Sequence, residues 1–130
     1  MFGRPGLLYV YLIYGMHCCM NVVTGAPGEG SAVLLRAGEP VEGVEVMRNL
    51  RRGARLDHLL AGPGRLCAGL GVERLHDGAD LVQADRAFIT EGEPATVESV
   101  AAGGRVGIRL GVDTAWRFWI RSDPWVSRPS

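Results

Sequence analysis

The sequence predicts a mixed α+β domain built on a largely antiparallel sheet with two or three short helices. Three observations predict it. "LLYVYLI" (7–13) and "MHCCMNVV" (16–23) are rich in β-branched and aromatic residues and flank a break at Tyr14-Gly15, the pattern of a β-hairpin. "PVEGVEVMRNLRR" (40–52) spaces Val41, Val44, Met47 and Leu50 three residues apart, the period of an amphipathic helix. Further β-type runs return near the end of the chain, at "GGRVGIRLG" (103–111) and "WRFWIR" (116–121).

The remaining elements follow in order. "TGAPGEG" (24–30) has a loop's composition, and "SAVLLRA" (31–37) is a strand apolar on both faces, which predicts an interior position. The helix is predicted to start at Pro40. Its acids, Glu42 and Glu45, come early and its arginines, Arg48, Arg51 and Arg52, come late, which suits the helix dipole, and Gly53 follows as a stop. "AGPGRLCAGLGV" (61–72) reads as a Gly-Pro turn into a short helix, with Pro63 in the first turn and Gly69 or Gly71 at the end. Residues 73–95 are acidic and loop-rich, with a short strand expected at "RAFIT" (86–90), and "SDPWVSRPS" (122–130) forms an irregular tail. The tally is five or six strands.

A chain of 130 residues that is 47% hydrophobic fits one domain with a real core. Fourteen acids balance fourteen bases, so bulk charge points neither to nucleic acid nor to a membrane surface. Locally, residues 1–72 hold seven arginines against five acids, residues 73–98 two against seven, and residues 99–130 five against two. All fourteen bases are arginine. Arginine binds phosphate with a planar fork, and a chain without lysine has no side-chain amine for Schiff-base chemistry. The three cysteines, Cys18, Cys19 and Cys67, are odd in number, two are adjacent, and none forms a CxxC pair. That argues for a reducing compartment and against a disulfide framework. His17, His58 and His76 have no ligand spacing with them, so no metal and no cofactor is expected. Segment 7–23 is seventeen residues long, short for a spanning helix, and its tyrosines, His17 and Asn21 make it too polar for a signal peptide despite Arg4 before it. The expectation is a cytoplasmic protein with no membrane contact.

The hairpin carries the chemistry. Strand alternation puts Tyr9, Tyr11 and Ile13 on one face and Val10, Leu12 and Tyr14 on the other, with Tyr14 also at the tip. An aromatic ring on a protruding hairpin is either a plain exposed tyrosine or a wedge able to unstack a base step from the minor groove. A two-residue loop would pair Tyr11 with Cys18 and turn Asn21 away. A three-residue loop (Tyr14-Gly15-Met16) would pair Tyr11 with Cys19 and Tyr9 with Asn21, so that Tyr11 and Asn21 share a face. An aromatic plate beside an amide suits a flipped nucleobase, and the plainer reading is that Asn21 satisfies a backbone group.

Five collinear stretches, "GRPGLLYVYLIYGMHCCMNVV", "AVLLRAGEP", "GPGRLC", "RVGI" and "WRFWIRSDPWVS", resemble the alkyladenine (3-methyladenine) DNA glycosylase family from Met1 to about Ser127, while residues 73–98 match poorly. The resemblance implies one domain with a curved antiparallel sheet and a protruding hairpin. It also implies a monofunctional base-excision repair hydrolase that binds double-stranded DNA as a monomer, flips out an alkylated or deaminated purine and cleaves its N-glycosidic bond with water. By this resemblance Tyr14 fills the vacated stack and Met16 touches the minor groove beside it. Tyr11 is an aromatic wall of the base pocket, Asn21 disfavours guanine, and Arg36 stands near the nucleophilic water. His17 occupies a position where the family often has an aromatic. Gly62, Gly64 and Arg65 approach phosphate, with Arg65 replacing a frequent lysine.

The family's general-base glutamate belongs to an E-T-E-A-Y-like motif that would precede Met1, and neither it nor the partner aromatic and pocket histidine occurs in these 130 residues. Glu29, in a Gly-rich loop, and Glu39, before Pro40, read as surface acids. The expectation is therefore an N-terminally truncated glycosylase domain over 1–130. The alternatives are a catalytically inactive DNA- or RNA-binding fragment and an RNA-binding or tRNA-modifying accessory barrel. If Tyr11 and Asn21 pointed apart, the last would gain.

Overall fold

The computed structural model describes residues 1–127. β1 (Leu8–Ile13), β2 (His17–Thr24) and β3 (Ser31–Leu34) form one antiparallel sheet in the order β1-β2-β3. β4 (Val100–Gly103) and β5 (Arg117–Ile120) form a second antiparallel pair. The helices are α1 (Val44–Leu50) and α2 (Pro63–Leu70), with 3-10 turns at Leu56–His58, Arg74–His76 and Val97–Ser99. The molecule is an α+β domain of antiparallel sheets with few helices, as the sequence predicts.

The first sheet uses its two faces differently. Leu8, Val10 and Met20 lie on one face and are buried, and Cys18 and Val22 of the same face pack beside them. Against them lie Leu66 and Cys67 of α2, Leu59 and Leu60 just before it, and Ala79 and Leu81. Leu59 is fully buried. Tyr9, Tyr11, Cys19 and Asn21 occupy the opposite face. The free edge of β1 is closed by the segment after the Arg74–His76 turn. The Leu8 N–H donates to the Ala79 carbonyl and the Gly78 N–H to the Leu8 carbonyl, both at 2.8 Å, and the Val10 N–H donates to Asp77 Oδ1 at 2.8 Å. Unpaired edge groups are thus satisfied without another strand.

Four expectations change. The strand at 31–34 is an edge strand, with Val33 54% exposed, because among the described residues only β2 pairs with it. The first helix begins at Val44 rather than Pro40. Gly43 takes a left-handed φ of 70°, which breaks the helical run, and leaves Val41 76% exposed. Residues 86–90 form no strand and contribute one ladder-like bond, from the Ile89 N–H to the Leu81 carbonyl at 3.0 Å. The strand expected at 103–111 ends at Gly103 and begins earlier, at Val100. Gly107 and Gly111 adopt φ of 77° and 66°, outside the extended region, and turn the segment into a loop. The end of the tail, residues 128–130, lies outside the described residues.

Candidate functional site

The hairpin closes through the three-residue loop. Tyr11 pairs with Cys19 and Tyr9 with Asn21, and the Met16 N–H donates to the Ile13 carbonyl at 3.3 Å. Tyr14 and Gly15 both have positive φ, 53° and 68°. A bulky aromatic in the left-handed region is strained, and such strain concentrates at sites where the side chain must be displayed. Tyr14 is 83% exposed and Met16 is 74% exposed, so the apex presents two large apolar side chains to solvent.

The start of α2 lies beside the foot of the hairpin. A Cβ placed on Gly64 would come within 3.4 Å of His17 Cβ, so the small residue lets the helix approach the strand closely. Gly62 is the N-cap with no side-chain cap, Pro63 occupies the first turn, and Gly71 closes the helix. Arg65 is exposed, its Nη1 donating to the Ala61 carbonyl at 3.3 Å. Exposed His17, the uncapped helix start and Arg65 therefore form one surface below the apex.

The opposite face of the sheet opens into a groove of about 890 Å³ lined by Tyr11, Asn21, Arg36, Arg117, Trp119 and Trp125, among others. Tyr11 and Asn21 thus share the cavity, the outcome that the longer loop requires. Asn21 is buried, and its Nδ2 donates to the Tyr9 carbonyl at 3.2 Å, which holds the amide in place. Tyr9 and Tyr11 stack obliquely with ring centroids 5.4 Å apart. Burial, then the neighbouring Cys19 thiol, push the Tyr11 hydroxyl above its ordinary pKa, so it stays a neutral phenol. Arg36 leaves β3 and is tied to α2 by the Gly62 N–H, which donates to the Arg36 carbonyl at 2.9 Å. Burial, then the like charge of Arg117, lower the Arg36 pKa.

Arg117 and Trp119 close the groove from β5, and sequence reasoning assigned neither a role. Strand alternation in "RFWI" was the available signal, since it puts both on one face. Arg117 is 9% exposed, lies 5.1 Å from the Trp119 ring centroid and donates to the Ser127 carbonyl. Two carboxylates also line the groove. Glu39 is exposed, and Asp123 accepts the Trp125 N–H at 2.7 Å. Glu29 lies away from it and accepts the Ala26 N–H at 3.0 Å within its own loop. Among the described residues no group of acids, histidines and cysteines could hold a metal ion, and no helix is long and apolar enough to cross a membrane.

A family model described as methylpurine-DNA glycosylase matches residues 1–124. The chain belongs to the methylpurine-DNA glycosylase family. Similar proteins bear the name "Putative 3-methyladenine DNA glycosylase". One, from Carboxydothermus hydrogenoformans, is 44% identical over 128 residues, 98% of this chain and 67% of its own length. Another, from Methanocella arvoryzae, is 45% identical over 132 residues, 98% of this chain and 65% of its own. A third, from Streptomyces avermitilis, is 48% identical over 131 residues, 98% and 62%. The chain therefore spans about two-thirds, or somewhat less, of the length of these relatives.

Proposed function

We propose that these residues form, as one domain, the duplex-reading and base-holding part of a monofunctional DNA glycosylase that removes alkylated or deaminated purines from double-stranded DNA. The observation that carries the reading is the shared groove of Tyr11 and Asn21 behind an apex that displays Tyr14. Tyr14 enters the stack where the damaged nucleotide has left it, and Met16 lies along the minor groove beside it. The extruded purine rests on the Tyr11 ring, and the Asn21 amide, anchored by the Tyr9 carbonyl, rejects the exocyclic amino group of guanine. His17, Gly62, Gly64 and Arg65 hold backbone phosphate below the apex.

Hydrolysis adds water oxygen to the sugar's anomeric carbon as the bond to the purine breaks. The proton of the water goes to a general base, and the purine departs with positive charge on the damaged ring or with an added proton. Arg36 orients that water from the groove wall. The general base has no motif among the 130 residues, and the family resemblance assigns it to a glutamate outside them. Loss of a general base costs on the order of a hundred- to ten-thousand-fold in rate. The absence of lysine supports simple hydrolysis over strand cleavage through a Schiff base.

A second reading, duplex binding without hydrolysis, is favoured by the state of the two groove carboxylates, one exposed and one bonded to a backbone N–H. Two measurements test both. Gel-shift titration of duplexes with and without an abasic-site analogue should show tighter binding to the lesion, and equal affinities would discard the Tyr14 wedge on which base extrusion depends. Release of hypoxanthine from an inosine-containing duplex separates the readings: base release supports the enzyme, and lesion binding without release supports the second.

A further inference from the structure

Three guanidinium groups line the groove, and among the described residues none has a carboxylate within ion-pair distance. Arg105 lies over the Trp116 ring, 5.3 Å from its centroid, and donates to the Leu110 carbonyl at 3.4 Å, which leaves Arg36 and Arg117 as the pair considered for a ligand. Arg36 and Arg117 both line it, from the chain after β3 and from the first residue of β5. Arg36 Nε is buried and has no hydrogen-bond partner among the described residues, and Arg105 Nε shares that state. Arg117 is fixed on three sides, by burial, by the Trp119 ring and by the Ser127 carbonyl. The ion pairs among the described residues are Arg4–Asp80, Arg48–Glu45, Arg55–Asp57 and His58–Asp57, and none involves either arginine. Glu39 and Asp123 line the same groove without reaching ion-pair distance of them. Two like charges on the wall of a partly buried groove repel each other, and a buried N–H donor left without an acceptor is costly. An anion between them relieves both penalties.

The geometry points to Arg36 and Arg117 as a paired seat for one phosphate group of a nucleotide, with Arg117 the fixed member and Arg36 the free arm. The inference rests on the proposed function, because the same groove offers the Tyr11 ring and the Asn21 amide to a base. Phosphate fits better than carboxylate for a geometric reason. One guanidinium fork saturates both oxygens of a carboxylate, whereas a tetrahedral phosphate offers separate oxygens to two forks approaching from different elements. Arg117 is a positioning residue as well as a ligand, since its anchorage sets where the second fork must close.

The test follows the arginine Nε–Hε NMR resonances of the 130-residue chain during titration with inorganic phosphate, and with sodium acetate at matched ionic strength. Phosphate should shift the Arg36 and Arg117 resonances together along one binding curve, while acetate does so at least about tenfold more weakly. Arg36→Gln and Arg117→Gln should each weaken phosphate binding about tenfold or more, and the double variant should be little worse than either single one, because the pair acts as a unit. Arg117→Lys, which keeps charge without the fork, should bind between wild type and Arg117→Gln. If Arg117→Gln does not fold, Arg36→Gln and Arg117→Lys decide. Unshifted resonances, single variants that bind like wild type, or acetate binding as tight as phosphate would each overturn the seat. The lesion preference of the wild-type chain, lost in Tyr14→Ala, is read separately. If it persists while the phosphate titration fails, only the seat is wrong; if it is absent, the flipped-base reading itself is wrong.

Discussion

Replacing Tyr14 with alanine separates the wedge from the fold, because the structure predicts a large effect on one and almost none on the other. Tyr14 is 83% exposed, so it hides about a sixth of its surface. For a ring of about 200 Å² that is roughly 35 Å², worth at most about 0.9 kcal/mol at about 25 cal/mol per Å². Alanine keeps the Cβ and hence the strain of the left-handed φ of 53°, so no relief offsets the loss. Stability should therefore fall by less than about 1 kcal/mol, a melting shift within about 4 °C. Stacking of an aromatic ring against a base is worth about 1–3 kcal/mol, so affinity for a duplex with an abasic-site analogue should drop about 5- to 150-fold. An undamaged duplex, which offers no vacated stack, should change by less than about twofold. Fluorescence anisotropy on both duplexes, beside thermal melting, reads all three quantities. Unchanged lesion affinity would refute the wedge. A fall in stability well beyond 1 kcal/mol would show that the ring packs inward and that the exposure argument is wrong.

Four further outcomes are expected. Arg65→Ala should weaken binding to every duplex alike and lower the slope of log affinity against log salt by about one, measured by anisotropy between low and physiological salt. Gly69→Ala would place a Cβ 2.4 Å from Leu60 Cδ2 and 3.1 Å from the Leu59 carbonyl, so urea denaturation should show a loss of about 1–2 kcal/mol even though alanine favours helix. The Asp80 carboxyl is held below its ordinary 3.8 chiefly by its hydrogen bond from Arg4. A lowered folded value gives stability above 3.8 that fades as pH falls through it, so Arg4→Ala should melt lower than wild type above that pH, and the two curves should converge in stronger acid. Burial, then the neighbouring Cys19 and Cys18 thiols, push Cys67 up to about 12, so it stays protonated near neutrality. Peptide mapping after iodoacetamide treatment should find half-buried Cys18 modified first and Cys67 only on unfolding, and equal native rates would contradict the packing.

The sequence by itself determined the local elements whose signals are local. β-branched and aromatic runs around Tyr14-Gly15 specify a hairpin, and Pro63 with Gly71 brackets a helix, because strand propensity, φ restriction and helix capping act within a few residues. It also singled out the side chains proposed to touch a base or a phosphate, from Tyr11, Tyr14 and Asn21 to Arg65. The same local rules erred where one glycine outweighed a longer pattern, as at Gly43 before α1 and at Gly107 and Gly111 after β4. Only tertiary structure decided the rest. The two hairpin registers differ by one residue, and a one-residue slip moves a strand's side chains to the other face. The three-residue loop puts Leu8, Val10 and Met20 against α2 and leaves Tyr11 and Asn21 on the groove side. The placing of Arg36 and Arg117 in one groove joins positions 81 residues apart (117 − 36), one just after β3 and the other at the start of β5. No periodicity or spacing records such a placement, because it is set by how the sheets pack and not by any segment of chain.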